Sequence, residues 1–321
     1  MFNNMDKYLR LYGMPFGLLA LVILLKLAFI DVPLFSAQNL NDILLENVSV
    51  AIMALGLSFI MISGEGDLSF AGMFSLLAVI FSLVSNNTNN FFYAYSAVTV
   101  VAVAVNLMIA ILVTKYKFSS FLVSIAVFFM AVGVEKALHQ QTTLVNDPTI
   151  SSFSTIRFGL PLVVWLMAIV YLVSYLVINK TRFGFSLRIV GENNNAAIEA
   201  GINSNYMKIS AYVIAGVLLA LASSIEATRV GAIYQQGTFY MLPVFAACYL
   251  GSSMFVPGRI NVIGTLVGIL FLGVIEKFLT MISAQSYIVS ITQGAVLILS
   301  VGLVSFKNRA KIVQIKLFNR G

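Results

Sequence analysis

Residues 181–202, TRFGFSLRIVGENNNAAIEAGI, form a polar island in a chain otherwise built from apolar runs. Asn193, Asn194 and Asn195 suit a helix N-cap, because a short amide side chain accepts bonds from the first free backbone N–H groups. Ala196 to Ala200 then supply about a turn and a half of helix. Gly201 ends it by taking the left-handed conformation that other residues resist. A short, capped helix of small residues is a docking element, and its surroundings decide what it docks against.

Those surroundings are a membrane protein. Of 321 residues, 60% are hydrophobic and 10% charged, with a mean hydropathy of +0.97; soluble domains carry about 25% charged residues. Apolar runs of about 17–25 residues are long enough to cross a hydrocarbon core. About ten such runs occur, at 14–30, 47–63, 69–85, 91–114, 119–138, 161–178, 208–227, 239–255, 260–282 and 286–306. The fold class is therefore all-α and polytopic. The first run follows Lys7 and Arg10 but lacks a small-residue cleavage site, so it reads as a retained helix. The single cysteine, Cys248, lies in an apolar run, which rules out an intramolecular disulfide framework.

Lysine and arginine resist translocation, so their distribution sets orientation. Of the 19 basic residues, Arg157 and Arg229 fall on one side of the span pattern. Lys7, Arg10, Lys115, Lys117, Lys180, Arg182, Arg188, Lys208, Arg259 and the basic residues of 307–320 fall on the other, while Lys26, Lys136 and Lys277 lie within or near spans. This predicts both termini in the cytoplasm, with 1–321 as one transmembrane domain and 181–207 as a cytoplasmic loop. It also accounts for the isoelectric point near 9.4 without a nucleic-acid partner, while membrane lipid is a partner by default.

Four blocks, taken in order, resemble the permease subunits of ribose-type ABC transporters. They are Asn39, Leu40, Ile43 and Leu44 followed by Ala51, Ile52, Ala54, Leu55 and Gly56; Gly64, Asp67, Leu68 and Ser69; Thr181, Gly184, Arg188, Gly191, Asn193, Ala196, Ala197, Gly201 and Ile202; and Ala246, Ala247, Leu250, Gly251, Gly258, Gly264, Thr265 and Gly268. Together they cover about residues 36–305. The sequence departs from the family pattern at Glu65-Gly66-Asp67, Gly251-Ser252-Ser253 and Glu276-Lys277-Phe278. The last departure changes polarity inside a span and bears on which solute is carried.

The resemblance implies that the 181–207 loop holds a coupling helix fitting a groove on a separate ATP-hydrolysing subunit, which binds the ATP and Mg. Gly191, Glu192, Asn193, Ala196, Ala197, Glu199, Gly201 and Ile202 are the coupling residues. Ala196 and Ala197 allow close approach, and Glu192 and Glu199 can meet basic groups on the partner. Other implied partners are an extracytoplasmic solute-binding protein and a second copy or sibling permease. The implied location is a bacterial-type inner membrane, and the implied solute a pentose or related monosaccharide, with nucleosides as the alternative.

Two further groups of residues carry expectations. In the turn Gly64–Ser69, Asp67 and Ser69 are placed to cap the third span, and Glu65, Asp67 and Ser69 are candidates for a cytoplasmic gate. Charges at membrane depth face partner helices, watery cavities or the interface. Glu135 with Lys136 and His139, Glu226 with Arg229, and Glu276 with Lys277 are candidates for an outer mouth. Glu226 and Arg229, three apart, share a face and can pair; Glu276 and Lys277, about 100° apart, cannot simply do so. Gly251, Gly258, Gly264 and Gly268 with Ser252, Ser253 and Thr265 suit close helix packing, and Trp165 an interfacial anchor.

No phosphate-binding glycine-Lys-Ser loop and no His-Glu-x-x-His pattern occurs, and the chain has one histidine, so this subunit is expected to be neither the ATPase nor a zinc hydrolase. An ion-coupled secondary transporter is the mechanistic rival. It calls for ion ligands where spans break near the midplane, whereas the acids here lie towards span ends.

Overall fold

The computed structural model describes residues 15–20, 22–24, 26–27, 33–138, 141–145, 155–255 and 258–318, the last sixteen as backbone only. His139 lies outside the described residues. The elements are helices α1 (Ala37–Ile62), α2 (Ser69–Thr88), α3 (Phe91–Thr114) and α4 (Ser120–Leu138), a hairpin of β1 (Ile156–Arg157) and β2 (Leu160–Pro161), then α5 (Leu162–Lys180), α6 (Arg182–Glu192), α7 (Asn194–Glu199), α8 (Ser204–Val230), α9 (Gln236–Ser253), α10 (Val262–Met281) and α11 (Ser286–Phe318). The all-α expectation holds apart from the hairpin. Its two-residue turn, Phe158-Gly159, has φ of 51° and 83°, the pair of positive angles that a tight hairpin turn requires.

Among the described residues, seven helices (α1 to α5, α8 and α10) are long and apolar enough to span a membrane, and Pro15–Leu24 and Ser286–Gly302 are shorter apolar helices. The chain is thus a multi-pass membrane protein. Helix α1 begins at Ala37, ten residues before the apolar run expected from 47; Ser36 Oγ accepts the Asn39 N–H at 3.2 Å and fixes that start, and Asn39, Asp42 and Glu46 give the helix a polar first half. Helix α8 begins at Ser204, so the last four residues of the expected 181–207 loop are helical; Asn203 accepts the Tyr206 N–H at 3.0 Å and fixes that start.

The chain divides into two compact units, unit one being Met1–Asn47 with Leu242–Gly321 and unit two Val48–Met241. Unit two is centred on α2, α3, α4 and α8, which pack on one another. Its core combines large buried side chains, among them Phe74, Phe81 and Tyr212, with an alanine-rich seam on α3. Ala94, Val98, Ala102, Ile109 and Ala110 line one face of α3 with no exposed surface, and a Cβ at Gly216 of α8 would meet the Ala102 carbonyl at 3.1 Å. Close backbone approach of this kind drives helix association in a solvent that offers no hydrophobic effect between helices.

Unit one uses the same device where the sequence led us to expect it. Cβ atoms at Gly251 and Gly264 would meet each other's backbone, and one at Gly268 would meet Ala247. Asn261 caps α10 through the Gly264 N–H at 2.7 Å, and its amide donates to the Gly251 carbonyl at 2.7 Å. Gly258 instead makes a turn, with φ of 84°. Cys248 is buried, and Trp165 in unit two donates its indole N–H to the Arg157 carbonyl at 3.0 Å.

Candidate functional site

The 181–202 island folds as two helices, and only the second was foreseen. Thr181 caps α6 by accepting the Gly184 N–H at 3.3 Å, while Gly184, Leu187 and Val190, spaced three apart, give α6 a buried face. Asn193 closes α6 and opens α7, its Oδ1 accepting the N–H groups of Asn195 and Ala196 at 3.1 Å each. At the far end the Gly201 N–H bonds to Ile198 and the Ile202 N–H to Ala197, both at 2.9 Å, with Gly201 at φ 76°. These are the paired bonds of a Schellman stop. Ala197 is buried, whereas Glu192, Ala196, Ile198 and Glu199 are exposed and Ile202 is half-buried. Helix α7 therefore stands on Ala197 and presents its remaining surface outward.

Helix α6 carries α7 onto the Gly64 turn. A Cβ at Gly191 would collide with the Ile62 carbonyl, and one at Gly64 would meet the Gly191 Cα at 3.1 Å. Gly64 also has φ of 86°, so two requirements fall on it: a left-handed backbone and no side chain. Two residues far apart in the chain thus touch backbone to backbone.

The turn is tied down on three sides. Lys208, one turn into α8, pairs with Glu65. The Gly66 N–H donates to Ser120 Oγ, at the start of α4, at 3.4 Å. The expected capping of α2 by Asp67 and Ser69 is corrected by the structure: the N-cap position is Leu68, which has no side-chain cap, and Asp67, one residue earlier, accepts the N–H that Ser69 donates from the first helical position at 2.6 Å through Oδ1. Burial pushes the Asp67 carboxyl above the ordinary range, and hydrogen bonds from Ser69 and Phe70 pull against that rise.

Near the other end of α8 lies a second polar cluster. Glu226, with no exposed surface, pairs with Arg229 at 2.9 Å through Oε1, which also accepts from Gln236 at 2.7 Å and Tyr240 at 2.9 Å. A carboxylate buried among helices needs such donors to offset lost hydration. Glu135, likewise buried, accepts the Gln235 N–H at 2.8 Å, and Thr143 and Ala232 form a backbone bridge beside it. Segment 231–240 thus gathers Glu135, Glu226 and Arg229. Gln235, Gln236 and Tyr240 were missed in the sequence; the signal was Gln236 and Tyr240, four apart on one helix face.

Glu276 and Lys277 belong to unit one. The expectation that they do not pair with each other agrees with the geometry: Lys277 reaches Asp42 at 3.3 Å and Glu46 at 3.2 Å, one turn apart on α1. Among the described residues, no group of three or more His, Cys, Asp and Glu side chains is placed to hold a metal ion.

Comparison with known proteins agrees with this architecture. Residues 39–301 match the family described as branched-chain amino acid transport system / permease component. The chain is 28% identical to the ribose import permease protein RbsC of Escherichia coli (strain K12), covering 89% of this chain and 91% of that one. It is 26% identical to the galactose/methyl galactoside import permease protein MglC of the same strain, over 91% and 93% of the two chains. The ribose import permease protein RbsC of Bacillus subtilis (strain 168) is 23% identical over 93% and 94%. No solved structure gives a significant match. The chain belongs to this family of ABC transporter permease components, the family of the ribose-type permeases.

Proposed function

We propose that this chain is the membrane-spanning subunit of an ATP-driven importer for a monosaccharide, in a bacterial-type inner membrane with both termini in the cytoplasm. Two ATPase subunits, which bind the ATP and Mg, grip α7 on this chain and on a second copy or sibling permease. A solute-binding protein delivers the sugar from the opposite face. The full-length similarity to ribose and galactose import permeases supports the solute class.

The observation that carries the reading is the mounting of α7. A lever must be stiff and must end on a part of the machine that moves. Helix α7 is capped at both ends, exposed on all but its Ala197 face, and continuous through α6 with the tight Gly191–Gly64 contact. A stroke delivered to α7 therefore arrives at the junction of α1 and α2. Glu65, Asp67 and Ser69 are the gate in this reading, and Glu135, Glu226 and Arg229 with Gln236 and Tyr240 close the outer side. Glu276 and Lys277 remain candidates for the path within unit one.

Vesicle uptake tests the whole. Purified permease alone is expected to move no labelled ribose or galactose; adding the ATPase, the binding protein and ATP is expected to start uptake. Uptake at the same rate without ATPase would make the chain a secondary transporter and end the proposal.

A further inference from the structure

We propose that unit two carries a binding site for one anionic phospholipid, with the headgroup in a polar groove beside the α7 loop and an acyl chain in a trough along α3 and α4. The polar groove, of about 860 Å³, is lined by Lys117, Ser119, Asn194, Asn205 and the Glu65–Lys208 pair, among others. The trough, of about 520 Å³, runs between Met108 and Leu112 of α3 and Leu122, Ala126 and Met130 of α4. Phe118 and Ser119 line both. The polar and apolar compartments thus adjoin at Phe118 and Ser119, where α4 begins.

The dimensions fit one leaflet. From Ser119 to Met130 is about 16 Å at the helical rise, which is half of a hydrocarbon core about 30 Å thick. Helix α4 has the least buried span of the seven, with 28% of its window buried, so the trough lies on an open flank rather than in the packed core.

The charge fits an anion. Glu65 lines the polar groove but is taken up by Lys208, so the pair is neutral and Lys117 supplies net positive charge. Lys117 extends from a left-handed turn, φ 59°, to within 3.4 Å of the Asn205 side-chain oxygen. Lys115 stands two residues away, its Nζ 5.9 Å from the Tyr116 ring centre. Helix α4 has no acidic side chain in its first turn, so its positive dipole end adds to the charge of Lys117. Ser204, 7% exposed and part of the groove lining, holds a buried hydroxyl without a partner. Basic pockets between spans are the pattern by which anionic headgroups are held.

The proposal needs unit two to span a bilayer; it stands whether or not α7 meets an ATPase. The test is native mass spectrometry on the delipidated full-length chain, with dioleoyl phosphatidylglycerol or dioleoyl phosphatidylcholine added. Phosphatidylglycerol is expected to be retained at least tenfold better. The Lys115→Ala/Lys117→Ala double variant is expected to lose about fivefold per lysine. Ala126→Trp, at an exposed position, fills the trough with the lysines intact and is expected to abolish retention while the lipid-free melting temperature stays unchanged. Equal retention of the two lipids, or full retention by either variant, would overturn the site. Displacement of the lipid by an equal concentration of soluble glycerophosphate would also overturn it, since the trough would then contribute nothing.

Discussion

Gly191 shows how one missing side chain sets what a membrane helix can do. Its α-carbon lies against the end of α1, where a methyl group would meet the Ile62 carbonyl and, at 2.9 Å, the Gly64 nitrogen. Gly191→Ala is therefore expected to cost about 1–3 kcal/mol, the usual range for overpacking. A thermal melt of the purified chain should show the drop, with α7 and its surface unchanged in composition; an unchanged melt would mean that the contact is loose. Asp67 offers a test of another kind. Its folded-state pKa is raised by burial, so the folded protein holds its proton to higher pH than the unfolded chain. Stability from this group is then fully present below the unfolded value, about 3.9, and is lost as pH rises through the folded one. Asp67→Asn keeps an acceptor for the Ser69 N–H and removes the titration. Wild-type melting temperature should fall relative to the variant as pH goes from 4 to 8, and parallel curves would show that the carboxyl does not feel its burial.

At the scale of an element, α7 is too short to be stable by propensity alone, since helices of under about 12 residues are marginal without support. Its stability comes from the Asn193 cap, the Gly201 stop and the buried Ala197. Asn193→Ala removes acceptors for two N–H groups and is expected to cost about 1 kcal/mol, seen as faster amide exchange at Asn195 and Ala196. Ala197→Arg forces a charge into the one buried position of the helix. Membrane insertion should persist, because no span is altered, while co-purification with the proposed ATPase subunit is expected to fail. Normal co-purification would remove α7 as the point of attachment.

Across the whole molecule, the distribution of basic residues carries the proposed sidedness, and the fold supplies exposed positions that report on it. Ile198 on α7 and Phe158 in the hairpin are 58% and 95% exposed, and α5 with α6 separates them along the chain. With the basic loops inside, a membrane-impermeant maleimide is expected to label Phe158→Cys in intact cells and Ile198→Cys only after permeabilisation. Cys248 is buried and gives little background. The reverse pattern would invert the proposed topology and detach α7 from any cytoplasmic motor.

Most of the spans, the α7 helix and the small-residue packing of unit one were legible in the chain because each depends on neighbours within a turn or two. Hydrocarbon demands long apolar runs, a cap demands Asn193, and a stop demands Gly201, wherever the rest of the protein lies. Helix α6 was hidden because its buried face has meaning only against its packing partners. The Glu65–Lys208 pair, the Gly191–Gly64 contact and the Lys277 pairs with Asp42 and Glu46 join residues far apart in sequence. Local patterning marks such charges and glycines as positions that call for partners, because a charge taken out of water needs a counter-charge and a glycine admits close backbone approach. Only the packing of helices in three dimensions chooses which partners those are.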